Sequence, residues 1–240
     1  MDTVHTNIRR QEDAVKMEKE KRFDKANIEV VAFDLDGTLI DTSEAMLEVY
    51  RQVFEKAIEN GDAKKQPSKE EVYSTFGMIG EEAWKKVAPD MPEAKHREYK
   101  KLHDDLLNDK MRERSFTLPG VPELLRKLAE TYELATASNC GENYLSNVLR
   151  QDGLADSIAY KLCAGSVGAE RKSEVLNELK KQSGGTRIVM VGDRKSDIDA
   201  AKEAGLPVIG VESEFAEPGE LDEADAVIAN IADLPDLLLG

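Results

Sequence analysis

Two aspartates, Asp34 and Asp36, stand at the end of the apolar run Val30-Val31-Ala32-Phe33, directly before Gly37 and Thr38. Side chains alternate along a strand, so residues i and i+2 share a face and both carboxylates leave the strand end together. Like charges packed that closely are costly unless a cation neutralises them or one acts as a nucleophile. The competing reading is a plain strand-to-turn exit, with Gly37 turning the chain and Thr38 making a local hydrogen bond. A second pattern weighs against it. The apolar run Ile188-Val189-Met190-Val191 leads into Gly192, then Asp193 and Asp197. Two strands that deliver carboxylates from their carboxyl ends supply the oxygen donors a hard cation needs.

A third cluster is Ser138-Asn139-Cys140-Gly141, a hydroxyl and a glycine-containing turn ahead of a helix. A hydroxyl with free backbone N–H groups at a helix start holds a phosphate well, and an ordinary N-cap has the same composition. Thr136, one pleat earlier, competes with Ser138. Lys172 opens a helix carrying Val175, Leu176 and Leu179, where a cation opposes the macrodipole. Such a lysine is either placed for a ligand or, the commoner case, faces solvent, and Arg171 is a competing cation. His96 and His103, seven apart on one helix, read as surface residues far from the carboxylates. Cys140 and Cys163 read as free thiols, and Trp84 as core packing.

The elements that must position these groups follow from periodicity. Residues 1–27, almost half charged, read as a helical or disordered leader. A strand is expected at 28–34. From Ser43 to Asn60, apolar residues recur at three- and four-residue steps, an amphipathic helix. Ser68 and Glu71 form a capping box for another. Gly77 and Gly80 bracket a short loop before a helix at about 81–88, and a longer one at about 92–113 carries Tyr99, Leu102, Leu106 and Leu107. With no strand signal between them, residues 42–118 read as an all-helical insertion. Beyond Pro119 the pattern alternates, with helices at 121–130, 142–151, 173–182 and 196–204 and strands near 132–137, 157–162, 187–191, 207–211 and 226–228. This is the signature of an α/β fold, a Rossmann-like parallel sheet made of residues 28–41 and 119–240. Ligands bind such sheets at the carboxyl ends of strands, where Asp34, Ser138 and Asp193 fall.

The formal charge of −15, from 33 basic and 48 acidic residues, argues against nucleic acid or an anionic membrane as partner. Residues 119–240 carry 12 basic against 22 acidic groups, so an anionic substrate needs local cations. No apolar run approaches the roughly 18 residues of a membrane span. Met1-Asp2-Thr3-Val4-His5 starts no secretory signal, so a cytoplasmic location is expected.

Together, Asp34-x-Asp36-Gly-Thr, Ser138-Asn139, Lys172 and Gly192-Asp193-x-x-x-Asp197 resemble the haloacid dehalogenase superfamily. The helical insertion after the first strand resembles the cap of its phosphoglycolate phosphatase and β-phosphoglucomutase branches. The resemblance covers roughly residues 28–230. It implies Asp34 as nucleophile, forming an aspartyl-phosphate, and Asp36 as the acid that protonates the leaving oxygen and later activates water. It implies a magnesium ion held by Asp34, the Asp36 carbonyl and Asp193, with Asp197 ligating or supporting the shell. Thr38, Ser138, Asn139 and Lys172 become the expected substrate-binding set, and Gly77-Met78-Ile79-Gly80 a candidate specificity loop. The presence of Asp36 disfavours the dehalogenase and phosphonatase branches. The expected activity is hydrolysis of a small phosphorylated metabolite by a monomer or homodimer. A phosphosugar mutase and a catalytically idle binding relative are the alternatives.

Overall fold

The computed structural model describes residues 25–151, 153–185 and 187–240. Of the expected leader, residues 1–24 lie outside the described residues, and Lys25–Asn27 form a single 3₁₀ turn. Six parallel strands make one sheet: β1 (Val30–Phe33), β2 (Glu133–Ser138), β3 (Tyr160–Cys163), β4 (Ile188–Gly192), β5 (Val208–Val211) and β6 (Ala226–Ile228). Their order is β3-β2-β1-β4-β5-β6. The chain therefore proceeds outward on one side of β1, then returns to pair β4 against the other side. That reversal leaves a crevice at the carboxyl ends of β1 and β4.

β1 and β4 are buried along their whole length, as expected for central strands covered on both faces. Alternation divides their side chains between two apolar layers. Val31, Phe33, Val189 and Val191 join one layer, while Val30, Ala32, Ile188 and Met190 join the other. The second layer is closed by α8 (Lys172–Ser183) and α9 (Lys195–Glu203) through Val175, Leu176, Leu179 and Ile198. The first is covered by α5 (Val121–Ala129), α6 (Glu142–Gln151) and α10 (Leu234–Leu239), and it runs without a break into the insertion.

That insertion holds α1 (Ser43–Glu59), α2 (Lys69–Tyr73), α3 (Gly80–Val87) and α4 (Glu93–Glu113). The Ser68–Glu71 capping box forms as expected. On α4 the buried stripe is Tyr99, His103, Leu107 and Met111, one residue every four. The expectation of a surface His103 is therefore corrected. Its spacing from Tyr99 and Leu107, rather than from His96, decides which way it faces. It packs 4.5 Å from the Tyr50 ring, and Trp84 is buried in the same cluster. A short helix α7 (Ala164–Val167) and α10 had no counterpart among the expected elements.

Candidate active site

β1 places Asp34 one residue beyond its last paired position, still tied to β4 by a 2.9 Å hydrogen bond from its backbone N–H to the Val191 carbonyl. The chain then turns at Gly37, whose φ of +82° suits glycine. A Cβ there would overlap the Asp193 carboxylate, and one at Gly192 would overlap Asp197. The two glycines allow these carboxylates to approach the strand ends. They explain at the atomic level why each aspartate pair in the sequence comes with its glycine.

Asp34, Asp193, Asp197 and Lys172 are all at most 3% exposed. The Lys172 ammonium lies 2.9 Å from Asp34 Oδ1 and also donates to Asp197 Oδ1. Burial alone would strip the Lys172 proton, but the charges of Asp197 and Asp34 outweigh it and raise its pKa above the ordinary value. Arg171 instead pairs with Glu203 at 2.6 Å on an exposed surface, so it is Lys172, not Arg171, that lies against the buried carboxylates. Burial, then the neighbouring Asp197 and Asp34, push Asp193 up to about 8. The Ser213 hydroxyl donates to Asp193 Oδ2 at 2.7 Å, and Thr38 lies 3.4 Å from Oδ1. Burial raises Asp197 to about 6 against the opposing pull of Lys172. The Arg194 backbone N–H holds its other oxygen at 3.0 Å.

Three buried carboxylates with ligand oxygens within 4.8 Å of one another face one ammonium. Surplus negative charge on an oxygen-only donor set fits a hard divalent cation. Asp193, whose oxygens are held only by hydroxyls, is the more available ligand. Asp197, with both oxygens engaged by N–H donors, is suited to a supporting place.

Asp36 is separated from this group. Its carboxylate accepts from Thr42 Oγ1 at 2.5 Å and Tyr144 Oη at 2.6 Å, both on Oδ1. Burial lifts it to about 6 despite these donors. Two carboxylates from one strand end are thus given different environments, the arrangement that separates acid from nucleophile.

A cleft of about 980 Å³ opens over these strand ends. Asp34, Asp36, Ser138, Asn139 and Tyr144 form its floor, and Tyr50, Phe76, Met78, Trp84 and His103 its far wall. Thr38 is fully buried beneath the floor, beside Asp193. Asn139 spends its side-chain N–H on the Gly77 carbonyl at 2.7 Å, tying the insertion loop to the core. Thr136 is removed as a competitor of Ser138. Its hydroxyl bridges β2 and β3 through the Leu162 N–H and C=O. The Cys140 thiol hydrogen-bonds Cys163, which with burial raises its pKa well above the ordinary value and disfavours it as a nucleophile.

Sequence reasoning missed Thr42, Tyr144 and Ser213. Ser213 had a usable signal, since it follows β5 at a carboxyl strand end. Thr42 occupies the N-cap position of α1, yet its side chain makes no cap bond and turns to Asp36. Tyr144 sits among apolar residues of α6 and reads as core.

Fold and geometry define the class, an α/β protein with buried carboxylates gathered at the point where strand order reverses. The chain belongs to the haloacid dehalogenase-like hydrolase family, whose profile matches residues 31–211. It is similar to the phosphoglycolate phosphatase of Vibrio vulnificus (strain CMCP6), 29% identical over 220 residues that cover 88% of this chain and 96% of that one. In fold it matches a predicted phosphoglycolate phosphatase from Haemophilus somnus, with a TM-score of 0.78 and 20% identity over 88% of this chain and 98% of that one. It also matches the β-phosphoglucomutase of Clostridium difficile, with a TM-score of 0.71 and 19% identity over 86% and 93%. The chain is an enzyme of the family's phosphatase type. Among the described residues, no helix is long and apolar enough to cross a membrane.

Proposed function

We propose that this chain is a magnesium-dependent phosphatase that hydrolyses a small phosphomonoester, in the manner of a phosphoglycolate phosphatase, through an aspartyl-phosphate on Asp34. The observation that carries the reading is the contrast between the two aspartates. Asp34 is paired with a buried ammonium, whereas Asp36 is raised to about 6 and held by hydroxyls. In this reading Asp34 attacks phosphorus. Asp36 gives its proton to the departing oxygen and then takes one from the water that attacks the aspartyl-phosphate. Ser138 and Lys172 hold phosphate oxygens. Asp34, the Asp36 carbonyl and Asp193 would hold the magnesium ion, with Asp197 supporting. The ion's chemistry, when bound, is to offset the negative charge of phosphate and carboxylates in the transition state.

Residues 42–118 act in this reading as a cap, and the loop Gly77–Gly80 contributes to the choice of leaving group. The test is hydrolysis of an aryl phosphate by purified protein with magnesium and with excess chelator. Activity that survives the chelator overturns the metal requirement, and no activity under either condition favours an idle relative. The likeness to a β-phosphoglucomutase keeps one second reading, a phosphosugar mutase. Release of inorganic phosphate, rather than an isomeric phosphosugar, from a panel of phosphorylated metabolites separates the two.

A further inference from the structure

We propose that Tyr144 is the positioning residue that fixes which oxygen of Asp36 exchanges the proton. The inference rests on the reading of Asp36 as acid and base. Tyr144 Oη and Thr42 Oγ1 both donate to Asp36 Oδ1, at 2.6 and 2.5 Å. With one oxygen doubly held, the carboxylate cannot rotate freely, and Oδ2 is left for the cleft that Asp36 lines. The proton given to the leaving oxygen, and later taken from water, then passes through Oδ2.

The two donors come from different parts of the molecule. Thr42 precedes α1, at the entrance to the insertion, whereas Tyr144 is 7% exposed on α6, the helix that follows β2. Tyr144 also lies 3.4 Å from the Thr42 hydroxyl, so it braces both the carboxylate and its other donor. The helix that carries Tyr144 also holds α4 of the insertion, through Asn147 Nδ2 to Asn108 Oδ1 and Gln151 Nε2 to the Met111 carbonyl, so the Tyr144 bond ties Asp36 to the helix on which the insertion rests. A buried tyrosine hydroxyl must find an acceptor, and here that acceptor is the Asp36 carboxylate.

The experiment compares single-turnover phosphorylation of the magnesium-loaded full chain by p-nitrophenyl phosphate and by phenyl phosphate. The two are nearly equal in shape, but the second has the poorer leaving group and needs the proton more. Tyr144→Phe keeps the ring and removes the donor. It should lose roughly ten-fold more rate on phenyl phosphate than on p-nitrophenyl phosphate, with its melting temperature close to wild type. Equal loss on both substrates, or no loss on either, overturns the proposal. A 3-fluorotyrosine at position 144, a stronger donor of similar shape, covers the case in which Tyr144→Phe folds poorly. It should shift the ratio of the two rates, and an unchanged ratio counts against the proposal. Asp36→Asn separates the two levels of failure. If it shows no leaving-group discrimination, the acid role of Asp36 is wrong. If it discriminates while Tyr144→Phe does not, only the role of Tyr144 is.

Discussion

The floor of the cleft gathers Asp34, Asp193, Asp197 and Lys172 beneath it with no residue more than 3% exposed, while the far wall presents Tyr50, Phe76, Met78, Trp84 and His103 from the insertion. The charged groups of the floor are bound to one another or to neighbouring hydroxyls and backbone N–H groups. On the wall, Trp84 Nε1 and His103 Nε2 are buried with no hydrogen-bond partner. An unmet buried polar atom costs about 1–3 kcal/mol, and Asn139 Oδ1 on the floor is unmet as well, so what separates the two surfaces is the floor's charge. Under the proposed function, the charged floor acts on the phosphoryl group and the aromatic wall on what is attached to it.

The largest break in this comparison comes from Lys172→Met. It leaves two buried carboxylates without their counter-charge, at a cost of about 3 kcal/mol in chelator, less when magnesium is present. Turnover should fall on every phosphoester alike. Denaturant titration with and without metal checks the first part, and a two-substrate assay the second. Asp193→Asn comes next. Turnover should drop on the order of 100-fold, and the rise in melting temperature on adding magnesium should shrink, because a hard anionic ligand is gone. His103→Leu tests the wall. It should change kcat/KM for one substrate relative to another by roughly ten-fold while leaving the magnesium-induced melting shift as in wild type.

The smallest effect is on pH. In the metal-free chain, Asp36, Asp197 and Asp193 are raised from 3.8 to about 6, 6 and 8. The folded state therefore holds protons that the unfolded state has released. Stability from these groups is fully present below about pH 4 and declines as pH rises toward 8. Scanning fluorimetry in chelator should show the melting temperature falling between pH 5 and 8, with magnesium restoring more of it at pH 8 than at pH 6.

Legibility in the sequence divides along the same line. Asp34, Asp36, Asp193 and Asp197 were readable because each carboxylate pair is announced by an apolar strand and a glycine, and those glycines are sterically required. The parallel sheet was readable because buried strands and amphipathic helices alternate with distinct periods. Element ends shifted by one to three residues, as at β1, expected from 28 and formed from Val30, and β3, expected from about 157 and formed from Tyr160. The wall was less legible, since an inward histidine on α4 looks like any polar residue until its four-residue spacing from Tyr99 and Leu107 is noticed. Thr42 and Tyr144 were hidden for a different reason. Tyr144 reaches Asp36 across 108 residues of sequence, which local pattern does not encode, and Thr42, six residues from Asp36, stands where a helix N-cap would.

In the proposed function, Asp34 carries the phosphoryl group and Asp36 moves the proton. Intact-protein mass spectrometry after rapid acid quench tests it most directly, using p-nitrophenyl phosphate and magnesium. Asp36→Asn should still be attacked but be slow to hydrolyse the intermediate, so one added phosphoryl group should accumulate and map to Asp34. Asp34→Asn should show none. An adduct in Asp34→Asn, or one that maps to Ser138 or Cys140, would contradict the assignment.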